Sequence, residues 1–374
     1  MKAGAGAPDG QLEGCSARLP ATFFEQVARS NISGDGCTCL KFWYILQSQT
    51  GAKPERSKSG VTMKSLQVAL LASLAFVTAA PVIAQVPALP GAEEVVPADE
   101  PVTIWRSLIE TDNKLAERSR IQGFNQAFLN TFGEGAVVFR RGPVGAEGTY
   151  QAVDPSRGSA TLESRANYIE FSRAGDLGLT TGPYRYTMES DGELRRVHGH
   201  FVTIWRKFES EWRMVADITV RVPGVLSLDV EANLRESEQA LAESAADTLT
   251  TNNTLESLVA AEDLFVRAIN FRGGRRAMLR YGLDNQRIYV PGMAPGIGSE
   301  AGGMVYGVFM DERVSMSLVS HQPGGAYMAE SGDVGYTYGT MTADASDFAV
   351  NYLRFWRYTE SGEWKIAVEV VNPF

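Results

Sequence analysis

The sequence predicts an α+β chain in which one unit is written twice, each copy running helix, helix, then consecutive antiparallel strands that form one sheet. Three observations carry this. The segment Gly175-Asp-Leu-Gly-Leu-Thr-Thr-Gly182 matches Gly332-Asp-Val-Gly-Tyr-Thr-Tyr-Gly339 at five of eight positions. Ile204-Trp-Arg-Lys-Phe-Glu-Ser-Glu-Trp212 matches Phe355-Trp-Arg-Tyr-Thr-Glu-Ser-Gly-Glu-Trp364, with Gly362 inserted. Ahead of both blocks, at a spacing of 150, Gly123 meets Gly273, Ala127 meets Ala277, Leu129 meets Leu279, Phe139 meets Tyr289 and Gly142 meets Gly292. Matching blocks in the same order imply a duplicated domain, and two copies are too few for a solenoid.

The elements follow in order. Residues 1–62 show no sustained period and read as an upstream extension foreign to the working protein. Residues 63–84, MKSLQVALLASLAFVTAAPVIA, read as a signal peptide, with Met63-Lys64 as a basic start, an apolar run over Leu66–Ala80, and Val82 and Ala84 at −3 and −1 of a cut before Gln85. The run of about 15 residues falls short of the roughly 20 that a spanning helix needs, so translation is expected to start at Met63; the rival reading is a cytoplasmic tail with a signal anchor. No Cys follows closely, so no stable membrane anchor is expected, and the localisation expected is periplasmic or secreted. Residues 85–101, rich in Pro, Ala and Glu, form a flexible leader. The first domain is placed at 102–227, a helical linker at 228–250 and the second domain at 251–374.

Within each domain a helix opens the unit. Trp105, Leu108, Ile109, Leu115 and Ala116 recur at helical spacing, as do Leu255, Leu258, Val259, Phe265 and Ile269. Shorter helices are expected near 122–131 and 273–281. Ala136–Arg140 and Arg287–Val290 are short β-prone runs, and Leu177–Tyr186 and Val334–Met341 alternate. His200–Arg206 with Trp212–Val220, and Asn351–Arg357 with Trp364–Val371, read as hairpins. Gly292–Gly303 lacks the context of a dinucleotide-binding turn and reads as a mobile loop.

Composition removes several function classes. Of 374 residues, 44% are hydrophobic and 21% charged, a globular balance. The net charge of −9, with no basic tract, argues against nucleic acid as partner. Residues 1–84 carry eight basic and five acidic residues, so the remainder carries 27 against 39, a net −12. Cys15, Cys37 and Cys39 all lie upstream of Met63, so the mature chain has neither a disulfide nor a thiol nucleophile.

Both copies resemble the nuclear transport factor 2-like superfamily, which includes SnoaL-like polyketide cyclases and ketosteroid isomerases, and most closely its bacterial branch of unknown function. The resemblance lies in the early helix with a central acid, Phe128-Leu129 leading to Val138-Phe139-Arg140-Arg141-Gly142-Pro143, Ser172-Arg-Ala-Gly-Asp-Leu-Gly, Gly199 with Val202-Thr-Ile-Trp-Arg206, and Glu211-Trp212-Arg213 running to Asp217. It covers almost all of 102–220 and, more weakly, 252–371. It implies a cone-shaped domain, a curved sheet wrapped around helices with an apolar pocket, and pairing through the sheet, here within the chain or between two copies. Members range from acid–base enzymes to binding and association modules, so the fold alone assigns no activity.

Candidate residues come from pattern. Asp112 and Glu262 each sit seven positions after the first large apolar residue of their helix, which puts a carboxylate on the core-facing stripe. A buried carboxylate costs several kcal/mol or takes up a proton, so an acid at the pocket is expected; the bland alternative is a structural pair with Arg or backbone. If Trp205 pairs with Trp212, His200 faces Asp217 and makes a proton-transfer dyad. The same arithmetic sets Asn351 against Glu369 in the second copy, which would bind without catalysing. The alternative is a polar pair on the outer sheet face, since a slip of one residue reverses the face. His198 and His200 have metal-compatible spacing, but with His321 as the remaining His no ligand set is complete, so neither metal nor cofactor is expected. Trp205, Trp212, Trp356 and Trp364 are expected to pack the sheet, and Asp176 and Asp333 to sit in turns. The leading expectation is an exported protein with an apolar pocket per domain for a small apolar organic molecule. Asp112, Glu262, Asn351 and Glu369 are the candidate ligand-binding residues. The alternatives are a general acid–base isomerase, lyase or hydrolase using Asp112, His200 and Asp217, and a protein-assembly module.

Overall fold

The computed structural model describes residues 100–152, 160–190, 193–245, 252–314, 317–344 and 347–374. The expected upstream extension, the signal peptide, the cysteines and most of the 85–101 leader lie outside them. Residues 89–374 belong to one compact unit.

Helix α1 (Pro101–Gln122) starts with Pro at its first position, where a missing N–H costs nothing. Its buried stripe is Ile104, Leu108, Asp112, Leu115 and Ser119. Gly123, at φ 83°, ends it and starts α2 (Phe124–Leu129). Strand β1 (Phe132–Arg140), β2 (Gly142–Gly145), α3 (Ala146–Gln151), β3 (Thr161–Ser164), β4 (Tyr168–Phe171), β5 (Leu177–Ser190), β6 (Glu193–Phe208) and β7 (Glu211–Val222) complete the first half. Helix α4 (Leu234–Ala242) lies in the connector; it buries Ser237, whose hydroxyl donates to the Ile169 carbonyl at 2.6 Å, and Ala240. The connector is therefore tied to the first sheet along one face.

The second half repeats the order. A capping box between Thr254 and Ser257 opens α5 (Leu255–Arg272), whose buried face is Leu258, Glu262, Phe265, Val266, Ala268 and Ile269. After Gly273, at φ 80°, come α6 (Gly274–Tyr281), β8 (Gly282–Tyr289), β9 (Gly296–Ile297), α7 (Ser299–Val314), β10 (Val319–Met328), β11 (Val334–Ala343), β12 (Ala349–Tyr358) and β13 (Trp364–Pro373).

The first sheet runs β2-β1-β7-β6-β5-β3, with β4 also on β5, and the second runs β9-β8-β13-β12-β11-β10. Six strands correspond in order, and β4 is an additional strand of the first sheet. The sheets are antiparallel except at one junction each, β1 with β7 and β8 with β13, where the last strand returns beside the first. Both hairpins carry a bulge at the same place, between Ile204 and Trp205 and between Phe355 and Trp356.

One face of each sheet packs on its own helices. Leu108, Phe128, Trp205, Trp212 and Met214 belong to the first of these cores, and Phe265, Met278, Phe309, Trp356 and Trp364 to the second. All four tryptophans expected to pack the sheets do so. The opposite faces meet each other in a third core, where Val202, Ile204, Ile218 and Val220 join Leu353, Phe355, Val368 and Val370. Each such side chain removed from water contributes roughly 1.5–3 kcal/mol.

The two Trp-Arg pieces explain how this interface is held. In each, the tryptophan points to its own core and the next residue reaches the other half. Arg206 stacks on the Tyr327 ring at 3.7 Å, while Arg357 pairs with Glu170 at 2.8 Å and with Glu243 of the connector at 3.0 Å. The two turn acids are exchanged reciprocally. The Arg173 N–H donates to Asp333 Oδ2 at 2.9 Å, and the Glu330 N–H donates to Asp176 Oδ2 at 3.0 Å. This is the self-complementary pattern of a two-fold interface, made here within one chain.

One expectation is overturned. Gly292–Gly303 is not a loop throughout, because residues 296–297 form β9 and α7 begins at Ser299. Helix α7 buries Tyr306, Phe309 and Met310. Its glycines allow close approach to α6: a Cβ at Gly303 would lie 2.9 Å from Leu279 Cγ, and one at Gly307 would lie 2.6 Å from Arg275 Cβ. Low intrinsic helix propensity is outweighed by packing that only glycine permits.

Candidate functional site

Because Asp112 falls on the buried stripe of α1, its carboxyl is carried into the first core and is only 3% exposed. A row of residues across three strands meets it there. Thr180 on β5 pairs with Thr203 on β6, and Thr203 pairs with Asp217 on β7. Thr180 Oγ1 donates to Asp112 Oδ1 at 2.9 Å and accepts from Trp205 Nε1 at 2.9 Å. The indole thus orients the threonine hydroxyl toward the acid. Thr203 Oγ1 donates to Asp217 Oδ1 at 2.8 Å. Asp112 Oδ2 is buried with no hydrogen-bond partner.

Both acids line a small cavity of about 20 Å³, room for one or two waters. Leu115, Phe128, Leu162, Phe201 and Tyr184 supply its apolar and aromatic wall, and Ser164 and Thr219 add hydroxyls. Burial pushes the Asp112 carboxyl up to about 6, with the Thr180 hydrogen bond opposing and the Asp217 charge adding. Burial likewise pushes Asp217 up to about 6, against the Thr203 hydrogen bond and the field of Arg140. Burial is thus the main cause of both shifts, and each carboxyl gains its charge only as the pH rises through about 6.

The second half has the same scaffold with a different filling. Trp356 Nε1 donates to Thr337 Oγ1 at 2.9 Å, and Thr337 Oγ1 donates to Glu262 Oε2 at 2.6 Å. Thr337 pairs with Arg354, and Arg354 with Glu369, in the register that Thr180, Thr203 and Asp217 occupy in the first half. Arg354 therefore stands where the first half has Thr203. Its guanidinium, fully buried, donates through Nη1 to Glu262 and through Nε to Glu369 at 2.5 Å, and lies 4.0 Å from the Tyr352 ring centroid. Burial pushes Glu369 up to about 7, against the pull of Arg354. The space that is open in the first half is occupied here by a side chain. Glu262 and Glu369 form a structural ion pair with arginine, which is the bland alternative posed from the sequence.

Two expected pairings are not formed. His200 pairs with Val220, and Asp217 with Thr203, so His200 and Asp217 are not opposed. Lys207, not Trp205, stands opposite Trp212, and the bulge at Trp205 shifts the register by one more residue. His200 shares the face of Val202 and Ile204 and meets Tyr289 of the second half, ring centroids 5.3 Å apart. Both ring nitrogens are buried without hydrogen-bond partners, and burial lowers the imidazole to about 4. Likewise Asn351 pairs with Asn372, not Glu369, and its side-chain amide donates to the Arg140 carbonyl at 2.8 Å across the interface. His198 Nδ1 accepts from the Leu226 N–H at 3.3 Å, and His321 lies 3.0 Å from Asp263. Among the described residues no group of three or more His, Cys, Asp or Glu is placed to hold a metal, and no helix is long and apolar enough to cross a membrane.

Thr180, Thr203, Thr337 and Arg354 went unnoticed in the sequence. The signals were present: both glycine-rich repeats keep a threonine at the sixth position, and two residues before the repeated tryptophan one copy has Thr and the other Arg.

No family model matches the sequence, and no curated protein matches it. Solved structures do. A ketosteroid isomerase-like protein from Erwinia carotovora atroseptica is 20% identical, covers 32% of this chain and 95% of its own, and has a TM-score of 0.27. A nuclear transport factor 2-like superfamily protein from Salmonella enterica serovar Typhimurium is 17% identical over 34% of this chain and 96% of its own, with a TM-score of 0.28. A protein of unknown function from Silicibacter pomeroyi, described as nuclear transport factor 2-like, is 16% identical over 34% of this chain and 100% of its own, with a TM-score of 0.27. Likeness at this level carries no argument about activity.

Proposed function

We propose that the first-half cavity binds a small organic molecule, and that the chain is an exported tandem of nuclear transport factor 2-like domains whose second copy serves as a filled structural partner. The observation that carries the reading is Asp112: a carboxyl 3% exposed, with Oδ2 unpartnered, lining a cavity with an aromatic wall. Leaving such a group without a partner costs on the order of 1–3 kcal/mol, which a ligand that satisfies it recovers. The strand row that builds the site is kept in the second half, but there Arg354 supplies the partner from within the chain. Thermal-shift screening of the chain from Gln85 against small organic molecules tests this, because a ligand of the native state raises Tm by mass action. Ligands whose effect vanishes in Phe128→Trp, which fills the cavity from its wall, support the reading; a library without any stabilising member defeats it. Export is tested by N-terminal sequencing of natively purified protein, where Gln85 is the expected first residue.

A second reading has a specific observation behind it. Asp112 and Asp217 share one cavity and each is raised to about 6, so near that pH one can donate a proton while the other accepts one. On this reading the acid–base residues are Asp112 and Asp217. His200 lies on the opposite face of the sheet, and the reading does without it. Turnover of a bound ligand with a bell-shaped pH profile, lost in both Asp112→Asn and Asp217→Asn, would favour it over binding alone.

A further inference from the structure

We infer that the ligand of the first-half cavity is a small organic cation, an amine, amidine or guanidinium, held between the carboxylates of Asp112 and Asp217. This rests on the reading of that cavity as a binding site and names the chemistry it selects. The second half shows the arrangement already filled. There two acids, one from the opening helix and one from the last strand, enclose the guanidinium of Arg354, which donates to both. In the first half the same two places hold acids, each one methylene shorter, and the residue in the register of Arg354 is Thr203. Replacing arginine by threonine and each glutamate by aspartate leaves both carboxyls while removing the cation between them. The carboxyl oxygens are then met by Thr180 and Thr203, and Asp112 Oδ2 is left over. The aromatic setting is comparable: Arg354 lies by the rings of Tyr352 and Phe265, and the cavity offers Phe128, Phe201 and Tyr184.

Two arginines bear on the acids from outside. The field of Arg165, in the segment between β3 and β4, reaches Asp112, and that of Arg140, on β1, reaches Asp217. Both are exposed and neither lines the cavity. They leave the pair with raised rather than lowered pKa values, so the cavity gains its negative charge as the pH rises through about 6. A cation is therefore held above that pH and released below it.

The test uses the chain from Gln85 with methylamine and guanidinium, small enough for the cavity, as cationic probes, and methanol and urea as uncharged counterparts of similar shape. Calorimetric titration at pH 8 and pH 5 reads affinity. The expected result is binding of the cations at pH 8, weakened about tenfold or more at pH 5 and in Asp112→Asn, with the uncharged probes at least about tenfold weaker than the cations. Thr203→Arg is the second variant: it copies the second half, so it should fold and should abolish cation binding. Uncharged probes that bind as well as cations overturn the inference while leaving the cavity a binding site. Cation affinity that survives Thr203→Arg, or that is the same at both pH values, also overturns it. If neither class binds, the inference and the reading of the cavity fail together.

Discussion

Asp112→Asn should make the protein more stable, and only at neutral and alkaline pH. The carboxyl is raised from 3.8 to about 6 because burial disfavours its charged form. Near pH 5 the native state holds a proton on this group that the unfolded chain has largely released. Stability therefore falls as the pH rises from about 4 to about 6 and levels off above, where the full cost of the buried charge is present. Roughly two pKa units at about 1.36 kcal/mol each give a cost of about 3 kcal/mol at pH 8. Asparagine cannot ionise and keeps an oxygen to accept from Thr180. Its amide replaces Oδ2 at the cavity, so part of the gain is lost to two donors needing partners, and a net gain of about 1–2 kcal/mol remains. Urea unfolding followed by tryptophan fluorescence, at half-unit steps between pH 4 and pH 8, measures the difference. The two proteins should coincide near pH 4 and separate through pH 6. A variant that is less stable at pH 8, or a gap that does not change with pH, would refute the assignment of a destabilising buried charge to this position.

Three further outcomes follow from the same geometry. Arg354→Met leaves Glu262 and Glu369 buried without a cation and should cost about 3–5 kcal/mol by thermal or urea unfolding, with part of the loss restored by adding Glu369→Gln. Gly307→Val places a branched side chain where a Cβ already meets Arg275 Cβ at 2.6 Å; a loss of about 1–3 kcal/mol is expected, and a neutral result would contradict the close α6–α7 contact. Asp333→Asn weakens the bond from the Arg173 N–H that ties the halves, so a loss of about 1–2 kcal/mol is expected, with faster amide exchange at Arg173 as the local readout.

The site was legible in part. Asp112 and Glu262 could be placed because a helix repeats every 3.6 residues and buries one stripe, a property of nearest turns along the chain. That Glu262 would meet Arg354 could not be read, because ninety-two residues separate them and the contact depends on how the helix lies on the sheet. His200 and Asp217 show the limit at short range. Both strands were recognisable and the hairpin was correct, yet Val215 is an extra residue at the bulge, and one residue is enough to turn a side chain to the other face. Helix α7 shows another kind of limit. Glycines lower helix propensity and so point to a loop, whereas Gly303 and Gly307 are there because Leu279 and Arg275 of α6 press against them.

What the sequence by itself determined was the repeated unit, the order of its helices and strands, and the acids that its opening helices bury. These follow from periodicity and from likeness between two stretches of the same chain, and both are local. Only the tertiary structure decided which half keeps an open cavity, which acids acquire a counter-charge, and that Asp176 and Asp333 clasp opposite halves. Those outcomes depend on strand register and on distances between residues far apart in the chain, which are set when the sheets close on their helices and on each other.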